Sequence, residues 1–220
     1  MVHRERRSPY LVALQHDFTV GEDGSLLSVE VELSETPPEV QKTIRTQVGQ
    51  GTLDGIEKTF EDNKTSFDVE MTTKDGADRS FTVALDGKLV SLQLSMQELP
   101  PAVQKTIQAH VGDGKLGDIY RLKENGEISY DAEVDHHGQT RDVVVAPDGK
   151  LESVQVFLSE TPEAVQKTIS ERLGNGRIVR IDQTFEALQG VHPYEVEGRK
   201  DGKPFNFRVG PRGRFLGMDQ

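Results

Sequence analysis

The chain has 220 residues, and 37 acidic against 26 basic side chains give it a formal net charge of −11. That balance excludes broad electrostatic attraction to nucleic acid or to an anionic membrane and favours a basic partner. The absence of cysteine excludes disulfides, cysteine-bound zinc and thiol catalysis.

The dense basic run His3-Arg4-Glu5-Arg6-Arg7 reads as a solvated tail. It passes into Ser8-Pro9-Tyr10 without the apolar stretch of a signal peptide, so the expectation is either a cytosolic protein or a mature form whose signal is absent. Nothing approaches the roughly 18 consecutive apolar residues of a membrane span, which predicts no membrane insertion. Residues 1–33 are read as this tail plus an extra closing hairpin with its turn at Asp23-Gly24. Leu27, Val29, Val31 and Leu33 then alternate with polar residues at the period of a half-buried strand.

The pentapeptide VQKTI occurs three times, from Val40, Val103 and Val165. In each copy apolar residues stand four apart: Val40, Ile44, Val48; Val103, Ile107, Val111; Val165, Ile169, Leu173. This predicts three short helices with one apolar stripe, the glutamine and lysine lying on the wet side. Thr36, with Pro37 at the first helical position and Glu39 three residues on, has the chemistry of a capping box. The Gly-x-Gly after each helix (Gly49-Gln50-Gly51, Gly112-Asp113-Gly114, Gly174-Asn175-Gly176) suits a left-handed C-terminal cap.

After the glycines an isoleucine returns at Ile56, Ile119 and Ile181, then an aromatic-led strand at Phe67, Tyr130 and Tyr194. Turns at Asp86-Gly87, Asp148-Gly149 and Arg212-Gly213 close the segments. The expected fold is α+β: tandem repeats over residues 34–96, 97–158 and 159–220, each one short helix packed on an antiparallel sheet of about four strands.

Leu99-Pro100 opening a short helix, the Gly-x-Gly, the isoleucine strand, Tyr130, Tyr194 and the Asp148-Gly149-Lys150-Leu151 hairpin together resemble the PepSY-like domains of bacteria, over about residues 34 to 220. The fold is also similar to that of the beta-lactamase inhibitory proteins, which clasp an enzyme with a concave sheet. The resemblance implies an extracytoplasmic, periplasmic or secreted protein that makes inhibitory or chaperone-like contacts with a protein partner.

Several tempting motifs read as structure. Gly112-Asp113-Gly114-Lys115-Leu116-Gly117 spells GxGxxG but follows a helix and precedes a strand, the reverse of a dinucleotide fold. His136-His137 with Asp135 offers metal-ligand chemistry, yet adjacent strand residues point to opposite faces and Gly138 marks a hairpin tip. The repeated Asp-Gly pairs lack the acidic ligands of a calcium loop. Glu30 and Glu32, or Asp68 and Glu70, share a strand face as an acid and a base would, but nothing implies a pocket to split their pKa values. The reading is therefore a protein without catalytic residues, cofactor or bound metal. It engages a protein partner through the sheet face opposite the helices, with Tyr10, Tyr120, His136 and His137 as candidate contacts. The alternative is a structural or ligand-sensing envelope protein that binds a divalent cation.

Overall fold

The computed structural model describes residues 16–21, 24–61, 64–186, 188 and 190–218. The fold is α+β: three α-helices and fifteen strands among these residues, with every described strand pairing antiparallel. The chain divides into two compact units, Met1–Val90 and Ser91–Gln220.

The first unit runs β1 (Phe18–Val20), β2 (Leu26–Glu30), a 3-10 turn at Leu33–Glu35, α1 (Pro38–Val48), β3 (Thr52–Glu61), β4 (Lys64–Thr72) and β5 (Asp78–Ala84). Its strands lie side by side in chain order. β6 (Leu89–Gln93) carries the chain across the boundary, and its residues Ser91 to Gln93 pair with β7.

The second unit continues with a 3-10 turn at Met96–Glu98, α2 (Pro101–Val111), β7 (Lys115–Glu124), β8 (Glu127–His136), β9 (Gln139–Val145) and β10 (Leu151–Gln155). A 3-10 turn at Leu158–Glu160 leads to α3 (Glu163–Leu173), β11 (Arg177–Thr184), β12 (Tyr194–Lys200), β13 (Lys203–Pro204), β14 (Phe207–Val209) and β15 (Phe215–Met218). Again the order is sequential, except that β14 sits beside β12 and the two-residue β13 pairs with β12 alone.

Helix α1 begins one residue later than expected, at Pro38 instead of Pro37, and the capping box lies elsewhere. Thr36 does not cap α1; its hydroxyl donates to the Leu33 carbonyl at 2.9 Å. Pro37 is the N-cap residue, with ψ 150°; Pro38 after it disfavours helical backbone there, but Pro162 takes the same place in α3 before Glu163, so the second proline is not required. The back-reaching carboxylate belongs to the preceding 3-10 turn, where Glu35, Glu98 and Glu160 accept from the backbone N–H of Glu32, Ser95 and Phe157 at 2.7, 2.9 and 2.8 Å.

The glutamine of VQKTI is not on the wet side. Gln41, Gln104 and Gln166 donate their carboxamide N–H to the carbonyls of Thr36, Leu99 and Thr161 at 2.8, 2.9 and 2.8 Å, pinning each helix start to the segment before it. The threonine is also engaged. Thr43, Thr106 and Thr168 each donate to a closing-turn carbonyl, that of Gly87, Gly149 and Gly213, at 2.6 Å. Those turn glycines have φ near +80° and lie so close to the helix that an added Cβ would stand 2.4 to 2.7 Å from Glu39, Ala102 or Ala164. Only glycine meets both demands.

Helix stripes and inner sheet faces form the cores. In the first unit Val40, Ile44, Ile56, Phe67, Val69, Phe81 and Val83 are buried. In the second, Val103 and Ile107 pack with Ile119, Tyr130, Ala132 and Val143, and Val165 and Ile169 pack with Ile181, Tyr194, Val196 and Phe207. The alternation from Leu27 to Leu33 does not make one strand. β2 ends at Glu30 and Leu33 enters the 3-10 turn, while Leu27 is 43% exposed and Ser28 only 6%, its hydroxyl donating to the Glu57 carboxylate.

Candidate functional site

Period two along each strand sends Asp131 and Glu133 of β8, Asp142 and Val144 of β9, Ser153 and Gln155 of β10, and Arg180, Asp182 and Thr184 of β11 to the helix-free face of the second unit. Register aligns them: Glu133 opposes Asp142, Gln155 opposes Asp182, Asp182 opposes Glu195 and Glu195 opposes Arg208. Asp142 joins the row through its backbone N–H, which donates to the Gln155 carboxamide oxygen at 3.3 Å.

A groove of about 910 Å³ opens on this face. Ile128, Val144, Leu151, Leu188, Pro147 and Pro193 supply its apolar surface, and Glu127, Glu152, Asp182, Glu186 and Glu195 stand against Lys150, Arg180 and Arg208. One wall is the connection from β11 to β12, residues 185–193. Where β7 meets β8, the same connection is only the Asn125-Gly126 turn, both residues in left-handed conformation. The longer loop is tied down. Phe185 N–H donates to the Glu152 carbonyl at 2.7 Å, Leu188 and Val191 exchange bonds of 2.8 and 3.0 Å, and the Phe185 and His192 rings lie 6.2 Å apart.

At one end of the groove Arg180 sits between two carboxylates. Its Nε donates to Asp182 at 2.6 Å and its Nη1 to Asp142. Burial opposes the guanidinium charge, but the hydrogen bonds to Asp182 and Asp142 outweigh it and raise the Arg180 pKa. Beside them burial pushes the Asp131 carboxyl up to about 6, with Asp142, Glu133 and Asp182 adding to the rise and Arg180 opposing it. Asp131 Oδ1 and Asp182 Oδ1 are buried with no hydrogen-bond partner among the described residues. Arg208 Nε donates to Glu195 at 2.8 Å. At the other end burial raises the Glu152 pKa, reinforced by Glu127, Glu186 and Asp148 and opposed by Lys150. That end lacks the guanidinium that balances the first, so it presents net negative charge beside Ile128, Leu151 and Leu188.

The residues expected to make contacts are scattered. Tyr10 lies outside the described residues. Tyr120 is half-buried on β7 opposite Asp131, so it shares the helix-free face. His136 lies on the other face, against α2: its Nε2 is 3.3 Å from the His110 carbonyl and its Nδ1 3.6 Å from Asp113. His137 is exposed at the hairpin tip with φ 58°, and Asp135 accepts from the Gly138 N–H at 3.0 Å rather than joining the histidines. Sequence reasoning missed Arg180, Asp182, Asp131, Glu152 and the 185–193 loop. One signal was present. The spacing from isoleucine to aromatic is 11 residues at Ile56–Phe67 and Ile119–Tyr130 but 13 at Ile181–Tyr194.

A smaller depression of about 290 Å³ in the first unit is lined by Asp17, Glu30, Glu57, Asp68 and Glu70 with Phe18. Glu32, expected to share a strand face with Glu30, lies beyond the end of β2. Among the described residues no group of three or more histidine and carboxylate side chains is arranged to hold a metal ion, and no helix is long and apolar enough to cross a membrane. Gly112 to Gly114 join α2 to β7, whose first residues are Lys115 to Gly117, and Gly112 ends the helix with φ 52° and ψ −118°, a positive φ without the ψ of the left-handed helical cap expected.

No protein-family model and no curated protein matches this sequence. Parts of the chain are similar to solved structures. A candidate periplasmic protein of unknown function from Bacteroides vulgatus is 16% identical, over 58% of this chain and 98% of that one, with a TM-score of 0.38. A DUF2874 family protein from Bacteroides ovatus is 15% identical, over 53% and 84%, at 0.39. A candidate calcium-regulated periplasmic protein from Bacteroides thetaiotaomicron is 16% identical, over 59% and 97%, at 0.36.

Proposed function

We propose that this protein is a non-catalytic binding module whose groove on the second unit takes an extended segment of a partner protein, with a lysine or arginine set beside aliphatic residues. The observation that carries this reading is the pairing of apolar surface from Ile128, Leu151 and Leu188 with the carboxylates of Glu127, Glu152 and Glu186. Burial is the main reason the Glu152 pKa is raised; a cation docked there relieves the repulsion from Glu127 and Glu186 that adds to it, and aliphatic neighbours bury apolar area. Binding rather than catalysis is inferred because the groove's other charges are engaged with each other, Arg180 with Asp142 and Asp182 and Arg208 with Glu195.

We further read the three VQKTI segments as copies of one supersecondary unit. The third copy is specialised by its loop. An extracytoplasmic location and an inhibitory role rest on the sequence resemblance; osmotic-shock fractionation of the source bacterium tests the first. For the groove, the purified chain is panned against a random peptide display at neutral pH. Enriched peptides should carry a basic residue flanked by aliphatics and lose about tenfold in affinity toward the Glu152→Lys/Glu186→Lys variant. Enrichment of peptides without a cation, or affinity indifferent to that variant, overturns the proposal.

A further inference from the structure

The hairpin β1–β2 has the sequence of a second hairpin, at residues 81–92, whose first strand is covered by a neighbouring strand. Residues 18–29 and 81–92 are identical at seven of twelve positions, among them Phe-Thr-Val at 18–20 and 81–83 and Asp-Gly at 23–24 and 86–87. The turns match in geometry. Gly21 N–H donates to Ser25 and Gly24 N–H to Gly21 at 2.8 and 2.9 Å; Ala84 donates to Lys88 and Gly87 to Ala84, both at 2.8 Å. Gly24 and Gly87 have φ of 82° and 83°.

Their surroundings differ. Phe81 and Val83 are 1% and 0% exposed, because β4 flanks β5 and pairs Val69 with Phe81 and Phe67 with Val83. Thr82 between them donates its hydroxyl to Asp68 at 2.7 Å, and Gly87 lies against α1. The same flanking recurs at β9, held by β8, and at β14, held by β12, where Val143, Val145, Phe207 and Val209 are all buried. By contrast, Phe18 and Val20 are 67% and 47% exposed. A Cβ on Gly24 would meet nothing within 4 Å, and no described strand lies on the far side of β1.

The backbone of β1 is arranged to receive a strand. Glu30 N–H donates to the Asp17 carbonyl and Gly21 N–H to the Ser25 carbonyl, so alternation along an antiparallel pair turns the N–H and C=O of Phe18 and Val20 toward the edge away from β2, where no described strand pairs. We infer that β1 is a docking edge for an extended strand donated by a partner protein. The strand runs antiparallel to β1 and has the pattern aromatic, acidic, aliphatic, acidic seen in Phe67-Asp68-Val69-Glu70. Its aromatic and aliphatic side chains cover Val20 and Phe18, as Phe67 and Val69 cover Val83 and Phe81. Its first acid accepts the Thr19 hydroxyl, as Asp68 accepts that of Thr82. Affinity comes from main-chain bonds and selectivity from the alternate side chains, the logic of strand addition. This edge belongs to the first unit and is independent of the groove.

The test uses the full-length chain and a labelled peptide of sequence KTSFDVEMT, which copies Lys64–Thr72. Saturable binding is expected, together with slowed hydrogen exchange at the Phe18 and Val20 amides. N-methyl groups on the peptide's phenylalanine and valine should weaken binding by about tenfold or more, whereas N-methyl groups on its aspartate and glutamate should not. Phe18→Asp in the protein should weaken it similarly, and the methylated peptides give the answer even if that variant misfolds. Lack of saturable binding, or equal effects of the two methylation patterns, overturns the inference. So does slow exchange at Phe18 and Val20 in the free chain: concentration-independent protection makes the chain's own residues the occupant, and concentration-dependent protection makes it a second copy.

Discussion

Thr106 donates its hydroxyl to the carbonyl of Gly149 at 2.6 Å, fastening α2 to a turn 43 residues further along. Thr106→Val keeps the shape and removes the bond, leaving a carbonyl short of its donor. The expected loss is about 1 kcal/mol in urea unfolding followed by far-UV circular dichroism. Thr46→Val is the control, because exposed Thr46 only bonds back to the Lys42 carbonyl within its own helix; its expected change is within about 0.5 kcal/mol. Equal effects of the two would show that the strap adds nothing.

Glycine at the closing turn answers two separate demands, and alanine scanning separates them. At Gly24 only the left-handed backbone resists a side chain, so Gly24→Ala should cost about 1 kcal/mol. At Gly149 the new methyl also meets Ala102 Cβ at 2.7 Å, so Gly149→Ala should cost about 2–4 kcal/mol. Thermal melts of the two variants side by side give the comparison. A Gly24→Ala loss as large as that of Gly149→Ala contradicts the contact with the helix.

Asp131 binds its proton more tightly in the folded chain than in the unfolded one, with a pKa moved from 3.8 to about 6. Its contribution to stability is therefore fully present below about pH 4 and is lost as pH rises through about 6, amounting to at most about 3 kcal/mol. Asp131→Asn should flatten that part of the stability profile and make the protein more stable than the parent at pH 8. Parallel pH profiles for parent and variant would place the origin of the slope elsewhere.

The groove wall can be removed without touching the core. Replacing residues 185–192 with an Asn-Gly turn, on the pattern of Asn125-Gly126 between Glu124 and Glu127, leaves Thr184 opposite Pro193 and so keeps the β11–β12 register in which Gln183 pairs with Tyr194. The variant should melt within a few degrees of the parent, a shift of about 1 kcal/mol, and should lose peptide binding at the groove. Retained binding would place the partner elsewhere on the sheet.

The sequence disclosed elements whose information is local. The Val/Ile stripe four residues apart marks each helix, Gly-x-Gly its end, and Phe67, Tyr130 and Tyr194 the inner strand face, where all three are buried. Partnerships at long range stayed hidden. Gln41 and Thr43 look like solvated helix positions until one sees that their partners are Thr36 and Gly87. The capping box was misplaced because Thr36 and Glu39 have the right spacing, whereas the 3-10 turn before the helix engages Thr36 with Leu33 and supplies its own back-reaching carboxylate from Glu35. The groove was least legible of all. Arg180 meets Asp142 across 38 residues, a separation no periodicity encodes, and only the lengthened Ile181–Tyr194 spacing hinted at the loop beside it.

The hydroxyl straps also set a schedule for synthesis. The residues they join are 44, 43 and 45 apart, so each helix leaves the ribosome well before the turn that fastens it. Until Gly87 emerges, α1 can lie on no finished sheet, and its valine and isoleucine stay open to other apolar surfaces. Each completed hairpin then closes one such interval before the next opens. The order of emergence therefore leaves one apolar helix at a time awaiting its clasp.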